Sequence, residues 1–459
     1  MTNYVAKLSW IVCSLLFFSL ASATSLIGYR GEVVYFVSDP ADSKNAYRHY
    51  RDGVVYVKGG RVVESGDYSA LKNEYKTAKI VDYSGRIIMP GFIDTHVHYP
   101  QTEMMAAYGD QLLDWLNNYT FPTERKFSDP EYSRRIAALF LNQLVNNGTT
   151  TALVFSTVNP VSVNSFFAES SKRNMRMISG KVLMDRNAPD YLLDTPESAY
   201  RDSRELIGKW HGKGRQLYAV TPRFAPTSSP EELSIAGKLL KEYPEVYMHT
   251  HVAENKSEVA WVKELFPSSR SYLGVYDDFG LVTNRSVFAH GIYLDDKDFQ
   301  TLGIKGGSIS FCPTSNLFLG SGLFDLDKAK QHDVKVGLGT DVGAGTSLSI
   351  LQTINEAYKV NQLRKAFVQN PDAIKPLDPF RAFYLATKGG AKALSLDNKI
   401  GSFEPGMEAD FIVINYDTLP LLSVRAQNST DLKDKLFSIG ILGDDRTIQH
   451  TYVMGNKLK

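Results

Sequence analysis

The rhythm of hydrophobic and polar positions changes twice along the chain. Up to about residue 82, apolar residues come in short alternating or continuous runs between Gly and Asp turns: "GEVVYFVSD", "DGVVYVKGGRVVESG" and "AKIVDYSGRIIMPG". That texture predicts β-strands. The far end returns to it in "IGSFEPGMEADFIVINYD" and "RTIQHTYVMGNKLK". Between residues 91 and 396, apolar runs alternate with helix-length amphipathic segments. One of these, "SDPEYSRRIAALFLNQLVNNG", opens on a Ser-Asp-Pro-Glu start signal and closes on Gly148; "SPEELSIAGKLLKEY" is another.

With "RIIMPGFIDTHVH" counted first, the apolar runs are eight; the others are "TTALVFST", "RMISGKVLM", "LYAVTPRF", "VYMHTHVA", "SVFAHGI", "GSISFCP" and "VKVGLGTD". Eight β/α alternations over about 300 residues predict an α/β fold, a (β/α)8 barrel of the TIM type over 91–396. The β-rich ends, 26–90 and 397–459, are too short for separate cores. They are expected to pair into one small β-sandwich domain beside the barrel. Tandem repeats and low-complexity tracts are absent.

Residues 1–25 fit neither texture. Lys7 precedes an apolar stretch from Leu8 to Leu20, and Ala21-Ser22-Ala23 follows as a small-x-small pattern. The stretch, about 13 residues, falls short of the roughly 20 that span a bilayer. The layout predicts a secretory signal peptide and hence an exported, periplasmic or secreted protein. Of the two cysteines, Cys13 and Cys312, only the second would survive cleavage, so a disulfide framework and a thiolate metal cage are both excluded. The formal net charge is +1 without long runs of one sign, which points away from nucleic acid and from an acidic membrane as partners.

The histidines carry the candidate chemistry. His96 and His98 close the first apolar run, and residues two apart in a strand face the same side. Both can therefore point into the barrel mouth at its C-terminal end, where such barrels hold their active sites. Asp94 precedes them and can orient a ligand imidazole. "MHTHVAEN" holds His249, His251 and Glu254; "VFAHGIYL" holds His290; "VGLGTDVG" holds Asp341. Five of the nine histidines thus sit at the ends of three predicted strands, and the other four (His49, His211, His332, His450) read as solvated.

These residues predict a site for one metal ion, with His96, His98, a third histidine, and Asp341 as ligand, base or both. Neutral imidazoles suit zinc or iron(II). His249 and His251 share the same parity. His251 is preferred because it lies nearer the strand end and nearer Glu254, which leaves His249 as a core or supporting residue. Glu254 can carry a proton to a leaving group, and His290 can stabilise developing negative charge or the nucleophilic water. Lys181, inside the third run, reads as structural, so no lysine bridges a second ion.

The motifs "PGFIDTHVH", "TPRF", "HVAE", "FAHG", "CPTSNL" and "GLGTDV" resemble the metal-dependent amidohydrolase superfamily in its aminohydrolase branch. "HVHYPQ", "LLDWLNNYTFPTE", "NGTTTA", "VTPRF", "VYDDFGLVTN", "CPTSNLFLGSG" and "LGDDR" narrow the resemblance to its guanine deaminases, from about residue 26 to the end. The resemblance implies one zinc ion on His96, His98, His251 and Asp341, and it sets His249 aside because the metal histidine is the one three before the glutamate. It implies Glu254, His290 and Asp341 as catalytic residues. Guanine would be gripped by Gln101, Arg223 and Phe224 and would also meet His251, Glu254 and Asp341, and the chain would form a homodimer. The implied reaction is hydrolysis of guanine to xanthine and ammonia.

The side chains suit that ligand. Arg223 can donate to a carbonyl, Gln101 can donate and accept in one plane, and Phe224 offers an aromatic face. Adjacent strand residues point oppositely, so Arg223 and Phe224 share a ligand only if the chain turns there, as Pro222 and Pro226 suggest. The pattern differs from the cytidine-deaminase type, which needs a Pro-Cys-x-x-Cys pair. The alternatives are a related aminohydrolase acting on another purine, a pterin, cytosine or a triazine, and a barrel that has lost its activity. The leading 25 residues depart from a family whose members are generally cytosolic.

Overall fold

The computed structural model describes residues 25–109 and 111–459; residues 1–24 of the expected signal peptide lie outside them. Four strands come first: β1 (Ile27–Phe36), β2 (Tyr47–Lys58), β3 (Arg61–Asp67) and β4 (Lys79–Pro90). The central strands are β5 (Phe92–His98), β6 (Thr149–Phe155), β7 (Arg176–Gly180), β8 (Val182–Leu183), β9 (Gln216–Pro222), β10 (Tyr247–Val252), β11 (Ser286–His290), β12 (Ser308–Phe311) and β13 (Lys335–Leu338). Near the end come β14 (Phe411–Ile414), β15 (Ile448–Val453) and β16 (Asn456–Lys457).

Eight of the central strands pair in parallel in the order β13-β12-β11-β10-β9-β7-β6-β5, with β8 a short extra strand beside β9. Backbone bonds from Asp341 N to His96 O (2.9 Å) and from His98 N to Val342 O (2.7 Å) bring the segment after β13 back to β5 and close the ring. β5 and β6 are buried along their whole length, as parallel strands covered on both faces must be. Ile93, Leu153, Ile178, Ala219, Tyr247 and Val287 pack together and are capped by Ala391, Leu394, Leu396 and Ile400, so the barrel interior is packed rather than a pore.

The expected helix starts hold. The helix Pro130–Asn146 begins where Asp129 accepts from Glu131 N and Tyr132 N, and Pro230–Glu242 begins at Ser229.

The seven strands from the two ends form one mixed sheet, β16-β15-β14-β4-β1-β2-β3. Alternation along its strands feeds two cores. Val34, Phe36, Ile87, Met89, Ile412 and Ile414 join the main hydrophobic core. Val33, Tyr35, Ile88, Phe411 and Val413 enclose a second one. Two strands separate β1 from β15, about 14 Å across a flat sheet, yet the rings of Tyr29 and Tyr452 lie 5.1 Å apart. The sheet therefore curls over its own core, and the two layers expected of a sandwich are the halves of one continuous sheet.

Three expectations need correction. "RIIMPGFIDTHVH" is two strands in two sheets, broken at Gly91, where a Cβ would come within 2.3 Å of Thr150. "RMISGKVLM" breaks at Lys181, whose buried ammonium pairs with Asp194. The C-terminal portion also holds two helices, Pro420–Gln427 and Leu432–Leu442, whose Leu422, Leu436 and Ile439 pack into the main core. Among the described residues, no helix is long and apolar enough to cross a membrane.

Candidate active site

The predicted residues converge at the C-terminal mouth of the barrel. His96 and His98 come from β5, His251 from β10, His290 from the end of β11 and Asp341 from just beyond β13. Asp341 Oδ1 lies 3.1 Å from His96 Nε2 and 3.3 Å from His98 Nε2. His98 Nε2 lies 3.2 Å from both His96 Nε2 and His251 Nε2. One atom from each of these four residues falls within 4.8 Å of the others.

Burial disfavours imidazolium, lowering His96, bringing His98 down to about 3 and holding His251 well below its ordinary value. Burial alone would raise Asp341, but His96 and His98 beside it outweigh that and hold it well below the usual carboxylate range. Three neutral imidazoles and a carboxylate aimed at one point are a donor set for a divalent cation. Without one, their lone pairs would crowd together.

Supporting contacts set the ring orientations. His96 Nδ1 lies 2.7 Å from His249 Nε2, and His251 Nδ1 lies 2.7 Å from the Arg223 carbonyl. Both contacts leave Nε2 directed at the cluster. Asp94 takes a different part from the expected one. Its carboxylate accepts from His96 N (3.2 Å), Thr340 N (3.0 Å) and the Thr340 hydroxyl, tying β5 to the end of β13 instead of holding an imidazole. Phe155 packs against His98 and His251, with ring centroids 4.5 and 4.7 Å away, and keeps that side of the cluster apolar.

Glu254 follows β10. Its Oε2 lies 3.5 Å from His290 Nε2, and its Oε1 accepts from Ser321 at 3.2 Å. Burial first, and the Asp341 charge second, push Glu254 up to about 8. His290 Nδ1 lies 2.8 Å from Asn316 Oδ1, which turns Nε2 toward Glu254 and Asp341. Ala253, His290 and Asp341 all adopt the left-handed backbone region, with φ of 48°, 71° and 49°. Such conformations cost about 1–3 kcal/mol each and cluster where side chains are aimed for function.

A pocket of about 410 Å³ opens over this cluster. Gln101, Arg223 and Phe224 line it together with His98, His251, Glu254, His290 and Asp341, while Leu112, Trp115, Leu116, Leu319 and Ala344 supply an apolar wall. Arg223 and Phe224 reach the same space because β9 ends at Pro222 and a 3-10 turn begins at Ala225. The sequence reading missed Glu124, Asn316 and Phe155, although "TFPTE" and "CPTSNL" were recognisable motifs. The four remaining histidines are half-buried rather than solvated. His49 lies 2.9 Å from Glu32, His211 accepts from Tyr218 N, His332 stacks on Phe299, and His450 lies 3.2 Å from the Lys459 carbonyl.

A model of the Amidohydrolase family matches residues 87–458. The guanine deaminase of Escherichia coli (strain K12) is 54% identical over 425 residues, covering 92% of this chain and 95% of that one. A crystal structure of guanine deaminase from Bradyrhizobium japonicum superposes with a TM-score of 0.91 at 39% identity, covering 95% of this chain and 99% of that one. One from C. acetobutylicum, with guanine bound in the active site, gives 0.86 at 32% identity, covering 95% and 100%. The chain belongs to the amidohydrolase family and, within it, to the guanine deaminases.

Proposed function

We propose that this site removes the 2-amino group of guanine by hydrolysis, releasing xanthine and ammonia. The observation that carries the reading is the shared pocket: Arg223 and Gln101, with hydrogen-bonding groups suited to a purine edge, line the same space as the His98, His251 and Asp341 donors and Glu254. Zinc is the proposed occupant, held by Nε2 of His96, His98 and His251 and by the Asp341 carboxylate. An ion bound there supplies Lewis acidity, which lowers the pKa of a water from 15.7 to about 7.

The chain's own residues do the rest. Arg223 donates to the C6 carbonyl, Gln101 bonds the purine edge, and the Phe224 ring packs on the flat heterocycle. Glu254, raised by burial, delivers a proton to N3 beside the carbon that carries the amino group. Asp341 accepts the protons of the attacking water in turn at its outer oxygen; one passes to the departing amino group, which leaves as ammonia, and the other restores Glu254. His290, its Nδ1–H held by Asn316, presents Nε2 to that water as an acceptor. The apolar wall of Leu112, Trp115 and Leu116 shields these transfers from bulk water.

The test is ammonia release by metal-assayed protein from guanine, other purines, a pterin, cytosine and a triazine. Turnover of guanine above the rest is expected. Inactivity on guanine beside turnover of another substrate would replace the substrate, and an inactive, metal-free protein would replace the reading altogether. The reading includes a homodimer, tested by sedimentation. It also includes export after removal of the leader. Recovery of an intact polypeptide beginning at Met1 from the cytosol of its own cell would refute export.

A further inference from the structure

Glu124 lies behind the pocket and outside its lining. Its side chain is 1% exposed, and it reaches Arg223 and Gln101 together. Both of its oxygens lie 3.0 Å from Arg223 Nη1, and Oε1 also accepts from Gln101 Nε2 at 3.0 Å. Gly343 N donates to Gln101 Oε1 at 3.2 Å. A carboxylate only accepts and a backbone N–H only donates, so these two contacts of opposite sense fix which end of the Gln101 amide is which. Nη1 of Arg223 is committed to Glu124, while Nε and Nη2 find no partner among the described residues.

We propose that Glu124 is a specificity-determining positioning residue. By engaging Nη1 of Arg223 and Nε2 of Gln101, it leaves the pocket a guanidinium donor beside an amide oxygen with a free lone pair. That pair complements a carbonyl next to a ring N–H, the C6 and N1 edge of guanine. A purine with a 6-amino group presents the opposite order and would leave both protein groups unpaired. The inference rests on the guanine reading above and adds how the 6-oxo edge is chosen.

The test compares wild type, Glu124→Gln and Glu124→Asp on guanine and on 2,6-diaminopurine, which keeps the same leaving group and differs at the C6/N1 edge. Metal content and thermal melting are followed alongside, with calorimetric binding of xanthine as a readout independent of turnover. Wild type is expected to favour guanine. In Glu124→Gln that preference should fall at least about tenfold, with KM for guanine rising more than kcat falls and xanthine binding weakening. Glu124→Asp, which keeps the charge, should recover part of both. A folded, metal-loaded Glu124→Gln with unchanged KM and preference overturns the proposal. If that variant does not fold, a Glu124→Asp enzyme indistinguishable from wild type overturns it. A wild type inert toward guanine overturns the guanine reading and this inference with it; a wild type active on guanine beside an unaltered variant overturns this inference alone.

Discussion

His249 Nε2 lies 2.7 Å from His96 Nδ1, with both rings fully buried. In the proposed metal site this contact makes His249 a support for His96 rather than a ligand itself, although it sits on the same strand as His251. Removing such a support costs metal affinity about 10–100-fold. His249→Ala should therefore still bind one ion, more weakly by that factor in a chelator competition, whereas His251→Ala should lose it. A His249→Ala protein that holds no metal, or a His251→Ala protein that holds it normally, would reverse the two assignments.

Glu254 Oε2 lies 3.5 Å from His290 Nε2, and no atom of Glu254 belongs to the four-residue donor cluster. Glu254→Gln keeps the shape and removes the carboxyl that the proposed mechanism uses as proton carrier. The ion should stay at wild-type stoichiometry while kcat falls about 10²–10⁴-fold, the usual contribution of a positioned acid or base. Metal analysis and ammonia release on one preparation check both halves. A variant within a few-fold of wild type would take Glu254 out of the mechanism.

The same carboxyl sets a pH dependence. Burial, then the Asp341 charge, raises Glu254 to about 8, and the Ser321 hydroxyl opposes the shift by donating to the ionised form. In the proposed mechanism Glu254 donates a proton, so the protonated enzyme is the active one and kcat/KM should decline as pH rises through this value. The basic limb is expected at or below pH 8, since a cation in the adjacent donor set favours the carboxylate. In Ser321→Ala the opposing hydrogen bond is gone, the carboxyl titrates later and the limb moves to higher pH. A limb that stays put, or moves to lower pH, would assign it to another group.

The barrel and the residues that meet at its mouth were legible because their signals are local. A run of apolar residues ending in His-x-His places both rings on one side, and nearness to the strand end and to Glu254 favours His251 over His249. Glu124 gives no such signal. Its partner Arg223 is 99 residues away, and a carboxylate on a short helical turn reads like any solvated one. Asn316 and His290 are 26 residues apart and meet only because β11 and β12 are neighbours. The break at Gly91 was hidden for another reason: period-two alternation marks a strand without saying which sheet it joins. Parity likewise could not separate His249 from His251, because one points into the cluster and the other at His96 from the layer below.

The small sheet is tied to the barrel by charge as well as by packing. Arg176, which begins β7, pairs with Glu408, and Arg215, which precedes β9, pairs with both Glu408 and Asp410; the two carboxylates come from the segment before β14. Arg176 Nε donates to Glu408 at 2.8 Å and Arg215 Nη2 at 2.6 Å, with every side chain 6% exposed or less. Burial alone would raise Glu408, but the two guanidiniums outweigh it and hold the group below its usual value of 4.5. A depressed folded-state value contributes stability that is present above the unfolded pKa and is lost as pH falls through the folded one. Glu408→Gln leaves two buried guanidiniums with Asp410 as the remaining carboxylate of the network and should cost about 3–5 kcal/mol at pH 7. Urea unfolding of both proteins between pH 7 and the acid range should show the wild type losing this increment on acidification and the two stabilities converging. Equal stability at pH 7, or a gap that persists unchanged into acid, would mean that the sheet is held by its packing and not by these charges.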